Sequence, residues 1–92
     1  MFLGDLYFTR GIKELVDEET ITKDELLHCI HRHIRCDYGD MCEEDVQTNN
    51  QMLDMNYGRI MSEYRVNDIR IWLITCLAGE QTYTTMLLPE EY

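Results

Sequence analysis

Up to Met55 the apolar residues recur at helical spacing, and from Arg59 onward the spacing becomes that of strands. A short extended start, Leu6-Tyr7-Phe8, precedes Thr9, a residue suited to cap a helix carrying Ile12, Leu15 and Val16; the acidic cluster Asp17-Glu18-Glu19 closes it. Thr22 followed by Glu25 is a capping box, in which the hydroxyl takes one orphan amide and the carboxylate another, so the pattern predicts a second helix over residues 23–35. Its apolar stripe is Leu26, Leu27, Ile30 and Ile34. Asp37-Tyr38-Gly39-Asp40 is turn chemistry, with Gly39 free to take a positive φ. A third helix is expected over residues 42–54, with Cys42, Val46, Asn49 and Leu53 on one face and Glu43, Glu44 and Asp45 stabilising its N-terminal dipole.

Residues 59–66, 69–76 and 82–88 are rich in β-branched and aromatic side chains and are separated by Asn67-Asp68 and Ala78-Gly79-Glu80. They read as a three-stranded antiparallel meander. The middle segment is apolar on both alternating faces from Ile71 on, which places it centrally with helices on one side. The second face is left for the N-terminal segment, a second subunit or a partner to cover. The expectation is a single α+β domain over residues 1–92, two to three helices followed by the meander.

Charge narrows the function. With 18 Asp and Glu against 8 Lys and Arg the net charge is -10, and no basic run exists to displace counterions from a nucleic acid. A basic protein surface is the more natural target. Ninety-two residues allow one small core, which argues against a deep catalytic cleft. No apolar run approaches the ~20 residues that span a bilayer, and the N-terminus lacks the basic start and apolar stretch of a secretory signal, so a cytoplasmic location is expected. The four cysteines then read first as thiols or metal ligands.

Three histidines and three cysteines fall between His28 and Cys42. His28 and His31 project to the solvated side of the second helix, whereas Cys29, His33 and Cys36 follow one edge of it and the turn returns Cys42 towards Cys36. His33, Cys36, Cys42 and Asp45, with Cys29 and Asp37 as further candidates, have the donor types of a tetrahedral Zn²⁺ site. The same residues fit a second reading of equal weight, in which Cys29 and Cys42 are small buried hydrophobes and His33 is a core histidine bonded to Asp37 or Asp45. Cys76 follows an apolar strand and is expected in the core. Ser62, the only serine, sits in a strand with no partner suggested.

The ordered blocks His33-x3-Asp37-Tyr38-Gly39-Asp40, Asp45-x3-Asn49, Ile71-Trp72-Leu73-Ile74-Thr75 and Thr84-Thr85-Met86-Leu87-Leu88-Pro89-Glu90-Glu91-Tyr92 resemble a family of small proteins carried by phages, plasmids and integrative elements. The similarity runs from about residue 26 onward. Residues 75–81 depart from the turn that relatives carry. The resemblance implies an anti-defence accessory protein of a bacterial host cell, similar in size and charge to anti-CRISPR proteins that block type II effector nucleases.

Two functions follow. The first is a non-enzymatic inhibitor that binds a basic nucleic-acid-handling surface of such an effector and blocks DNA loading, its fold stabilised by zinc. Six carboxylates, Asp37, Asp40, Glu43, Glu44, Asp45 and Asp54, lie between Cys36 and Tyr57 with no Lys or Arg among them, and Asp37, Asp40, Glu43, Glu44 and Asp54 are the expected contact residues. The alternative is a small metal-dependent hydrolase in which His33, Asp37 and Asp45 surround the metal.

Overall fold

The computed structural model describes all 92 residues and places them, in chain order, as β1 (Asp5–Phe8), α1 (Arg10–Asp17), α2 (Lys23–Ile34), α3 (Glu43–Met55), β2 (Gly58–Val66), β3 (Ile69–Leu77) and β4 (Tyr83–Leu87). The capping box at α2 forms: the Glu25 amide donates to Thr22 Oγ1 at 3.1 Å and the Thr22 amide to Glu25 Oε1 at 2.9 Å. Thr9 does not cap α1 with its side chain; its hydroxyl donates instead to Glu91 Oε1, 2.6 Å away.

The three helices end alike. Glu19, Cys36 and Asn56 take left-handed φ values of 60°, 62° and 54°. The next amide then reaches back to a carbonyl five residues earlier, Thr20 to Leu15, Asp37 to Arg32 and Tyr57 to Met52, which is the Schellman closure that satisfies orphan carbonyls. Asn67 and Asp68, both at positive φ, make the two-residue turn between β2 and β3 whose twist suits a hairpin.

The sheet is α+β in class as expected, but it has four strands in the order β1-β4-β3-β2 and is mixed rather than a three-stranded antiparallel meander. β2, β3 and β4 do run antiparallel in sequence; the extended start adds as β1, parallel to β4, with Asp5 opposite Tyr83 and Phe8 opposite Met86. Four residues show too little alternation to declare a strand, and their partner lies at the other end of the chain. No helix is long and apolar enough to cross a membrane.

α1 and α2 cover one face of the sheet. Ile12, Ile21, Leu26, Cys29 and Ile30 pack there against Tyr64, Ile71, Leu73 and Met86. At about 100° per residue the arc that buries both Cys29 and His33 turns away from Leu27, which is 49% exposed instead of lying in the stripe. α3 lies along β2, over a smaller cluster of Tyr38, Ile60 and Leu77. Cys76 is only half-buried, on the opposite sheet face. That second face is partly covered by the chain's own end: the Tyr92 ring meets Trp72 edge-on at 5.6 Å, and the Arg59 guanidinium lies over Tyr92 at 5.2 Å. Glu91 fastens this segment by accepting from the Gly11 amide at 2.9 Å as well as from Thr9.

Candidate functional site

The segment from His33 to Asn49 holds most of the residues singled out by sequence, and the fold gives each a place. His33 is fully buried at the end of α2. Its Nδ1 lies 2.5 Å from Ser62 Oγ on β2 and its Nε2 lies 2.8 Å from Thr75 Oγ1 on β3. Thr75 Oγ1 is in turn 2.7 Å from Thr84 Oγ1 on β4, which donates to the Leu3 carbonyl at 2.9 Å. Each hydroxyl has one proton to give, so the direction of the chain is fixed from its far end. Thr84 gives its proton to Leu3 and therefore accepts from Thr75; Thr75 accepts from Nε2–H; Nδ1 accepts from Ser62. The imidazole is neutral, and burial lowers its pKa from 6.5 to about 4.

Both ring nitrogens are thus taken by hydroxyls, and neither Asp37 nor Asp45 touches the ring, contrary to each sequence reading that paired them. Asp37 is turned to Arg32, which donates to it through Nε at 2.7 Å and Nη2 at 3.2 Å and holds its carboxyl below the usual range. Of the six carboxylates in the acidic segment, this one therefore has a counter-charge. The Asp37 carbonyl accepts from the Tyr64 hydroxyl at 2.6 Å, and Tyr38 is buried beneath the turn.

Cys36 and Cys42 are exposed, Cys36 as the left-handed residue that closes α2 and Cys42 as the residue before α3, its thiol 3.1 Å from Asp45 Oδ2. Cys29 is buried in the main core, and burial raises its thiol pKa. His33, Cys36, Cys42 and Asp45 do not converge, with or without Cys29 and Asp37; no three His, Cys, Asp or Glu side chains anywhere stand close enough to hold a metal ion. The physical reason is local. His33 points inward to fill a polar gap in the core, while the Schellman turn throws Cys36 outward. The hydrolase set stands apart as well: His33 faces the core hydroxyls, Asp37 is turned to Arg32 and Asp45 lies beside the Cys42 thiol.

What the segment does assemble is a seal on the free edge of β2. Asn49, buried on α3, donates Nδ2 to the Met61 carbonyl at 2.8 Å and accepts the Met61 amide on Oδ1 at 3.0 Å, so its carboxamide stands in for the peptide of a neighbouring strand. Two residues on, the Glu63 amide donates to the Tyr38 carbonyl at 3.1 Å and the Glu63 carbonyl accepts the Asp40 amide at 2.8 Å. Gly39 lies between these bonds with φ of 70°, where a Cβ would run into the Glu63 carbonyl, so the turn admits only glycine. The motif His33-x3-Asp37-Tyr38-Gly39-Asp40 with Asp45-x3-Asn49 therefore reads, apart from Asp45, as fittings that fix turn and helix to sheet.

Ser62, Thr75, Thr84 and Arg32 are the contributors that sequence reasoning missed. Their signal was present: Ser62, Thr75 and Thr84 are small hydroxyls at inward positions of strands otherwise filled by Ile, Leu, Tyr and Met.

On the outside of this pinned unit Asp40, Glu43, Glu44, Asp45 and Asp54 are all exposed, and none takes part in an ion pair. Comparison with protein-family models, with curated proteins and with solved structures finds no match to the chain.

Proposed function

We propose that the chain is an inhibitor rather than an enzyme, an anti-CRISPR-like protein that lays the acidic unit of residues 40–54 on the basic nucleic-acid-handling surface of a type II CRISPR effector nuclease and blocks DNA loading. The observation that carries this reading is the pairing of free charge with rigid support: Asp40, Glu43, Glu44, Asp45 and Asp54 have no cation partner, and the elements bearing them are tied to β2 through Asn49, Tyr38 and Asp40. A backbone held in place before binding needs no ordering on contact, so more of the attraction of the charges it carries survives as affinity. Asp45 and Glu43–Glu44 gather at the start of α3, and Asp54 lies roughly 15 Å further along the helix at 1.5 Å per residue. Asp37, whose charge Arg32 neutralises, drops out of the contact set. The reading needs no zinc.

The test is charge reversal. Glu43→Lys, Glu44→Lys and Asp54→Lys together should abolish inhibition of DNA loading by the effector while leaving the circular-dichroism spectrum and melting temperature near those of the wild type. Inhibition by the wild type should weaken as salt rises. A folded triple variant that still inhibits fully would sink the proposal.

A further inference from the structure

The other edge of the sheet is bare. β1 has β4 on one side and no strand on the other. The Thr9 amide donates to the Met86 carbonyl, so by strand alternation Tyr7 also faces β4, while Leu6 and Phe8 turn their amides and carbonyls outward. Apolar surface flanks this edge on both faces. Tyr7 is 52% exposed and meets Tyr83 edge-on; Phe8 is 46% exposed and lines a groove with Leu6, Leu26 and Leu27. The same groove takes in Lys13 and Lys23, the only lysines of the chain, against the single carboxylate of Asp17.

We propose that this edge pairs with a second copy of the chain, β1 antiparallel to β1, into a continuous eight-stranded sheet. Outward groups on residues 6 and 8 fix the register. A two-fold axis through Tyr7 sets Leu6 of each copy opposite Phe8 of the other and closes four reciprocal backbone bonds. The two Tyr7 side chains then lie across from each other on one face, and the Leu6 and Phe8 side chains on the groove side. In this register Asp5, the only charge on β1, falls opposite Thr9 of the other copy, where Arg10 already pairs with Glu14 and Glu91 accepts from the Thr9 hydroxyl, so the ends of the ladder add no attraction and the register rests on the backbone groups. The groove carries a net charge of +1 from Lys13, Lys23 and Asp17 on a chain of -10, which makes it the face where a second acidic copy is repelled least. The half-exposed portions of Tyr7, Phe8 and Leu27 supply on the order of 250–300 Å² of apolar area per copy, given 150–250 Å² for a whole aromatic side chain. With the strand edge added, this falls in the range of small, transient interfaces. The dimer is therefore one of modest affinity that forms in the micromolar range or above. It does not rest on the inhibitor reading, since α3 lies at the opposite edge and each copy keeps its acidic surface free.

Sedimentation equilibrium of the full chain from micromolar to millimolar concentration tests this, with folding checked by circular dichroism. The wild type should shift reversibly from monomer to dimer mass. Phe8→Pro, which deletes one outward amide and leaves the β1–β4 bonds in place, should remain monomeric while folded. Tyr7→Asp, which sets two carboxylates across from each other at the two-fold axis, should weaken the dimer several-fold. A wild type that stays monomeric at millimolar concentration overturns the proposal, as does a dimer indifferent to Phe8→Pro. A wild-type monomer that protects the Leu6 and Phe8 amides from exchange only when an extended acidic peptide is added also overturns it and assigns the edge to another protein.

Discussion

The two edges of one sheet receive opposite treatment here. Along β2 the outward groups of Met61 and Glu63 are each satisfied, by the Asn49 carboxamide and by the backbone of Tyr38 and Asp40. Along β1 the outward groups of Leu6 and Phe8 have no strand beside them, and the side chains around them are apolar apart from Asp5, Lys13, Asp17 and Lys23. An open edge is a template for pairing, and proteins usually blunt it with charge, proline, a bulge or a cover. A chain that closes the middle of one edge with three residues from a turn and a helix, and leaves the other without a partner, has separated two tasks. The sealed edge anchors the acidic unit. The bare edge is available to another strand.

The sealed edge is the place to look for the largest effect. Asn49→Leu fills similar space but removes both bonds and strands the Met61 amide and carbonyl, at about 1–3 kcal/mol for each unsatisfied group if buried. A loss of about 2–4 kcal/mol in urea denaturation is expected. Asn49→Asp should fare little better, because a carboxylate can accept from the Met61 amide but faces the Met61 carbonyl with no proton to give. A change below about 0.5 kcal/mol for Asn49→Leu would mean that α3 is not held by this contact and that the β2 edge is not sealed by it.

Next in size is the pH response of the His33 chain, which binds α2 to β2, β3 and β4. The folded pKa of about 4 lies below the unfolded value of 6.5. Above pH 6.5 neither state holds the proton and His33 contributes no slope. Between 6.5 and 4 the unfolded chain binds a proton that the folded one does not, so stability falls as pH falls, by roughly 3 kcal/mol across the window at 1.36 kcal/mol per unit. Below the ordinary carboxylate range Asp37, Glu63 and Glu91 add to the loss, since their folded pKa values are lowered. In His33→Gln the slope between pH 6.5 and about 5, above the onset of carboxylate protonation, should vanish, whatever the variant costs at neutral pH. A persisting slope would place the titration on another group.

Much of this was legible in the chain, and the exceptions share a cause. Helix boundaries, the capping box, the hairpin at Asn67-Asp68 and the antiparallel order of β2, β3 and β4 are local, set by propensity and turn chemistry within a few residues. The extended start at Leu6-Tyr7-Phe8 was legible too, but its place in the sheet escaped because its partner is some 78 residues away in sequence, by the register Asp5 to Tyr83. The placement of the Cys/His cluster could not be read for a related reason. Spacing along a helix says which residues share an edge, yet it does not say whether that edge faces a metal or three hydroxyls contributed by strands further on. The acidic segment was read from composition alone, and only the fold separates Asp37, neutralised by Arg32, from the five carboxylates left free.

Cys36 offers a smaller effect of opposite sign. It occupies the left-handed position that ends α2, with φ of 62°, where a residue bearing a Cβ is strained and glycine is not. Cys36→Gly should therefore raise stability, by no more than about 1 kcal/mol. A metal ligand at this position would behave otherwise: its loss would lower the melting temperature, and chelation would lower that of the wild type. The sign of one melting shift thus separates the turn from the metal site on the segment that fastens the sealed edge.

The smallest effect belongs to the bare edge, and its smallness carries the comparison. The Phe8 amide faces away from β4 and has no strand to donate to, so proline there removes no ladder bond. Tyr7, before it, is already in a strand conformation, the one a following proline favours. At a concentration low enough to keep the protein monomeric, Phe8→Pro should change stability by less than about 1 kcal/mol, the remainder reflecting a φ tightened to the proline value and the lost half of a ring. Met61→Pro is its counterpart, since the same change there deletes an amide that Asn49 accepts and should cost about 3 kcal/mol or more. Urea titrations of the two variants set the edges side by side. Equal losses would show that β1 is braced as firmly as β2, and the surface assigned to a second copy would then have no free edge to offer.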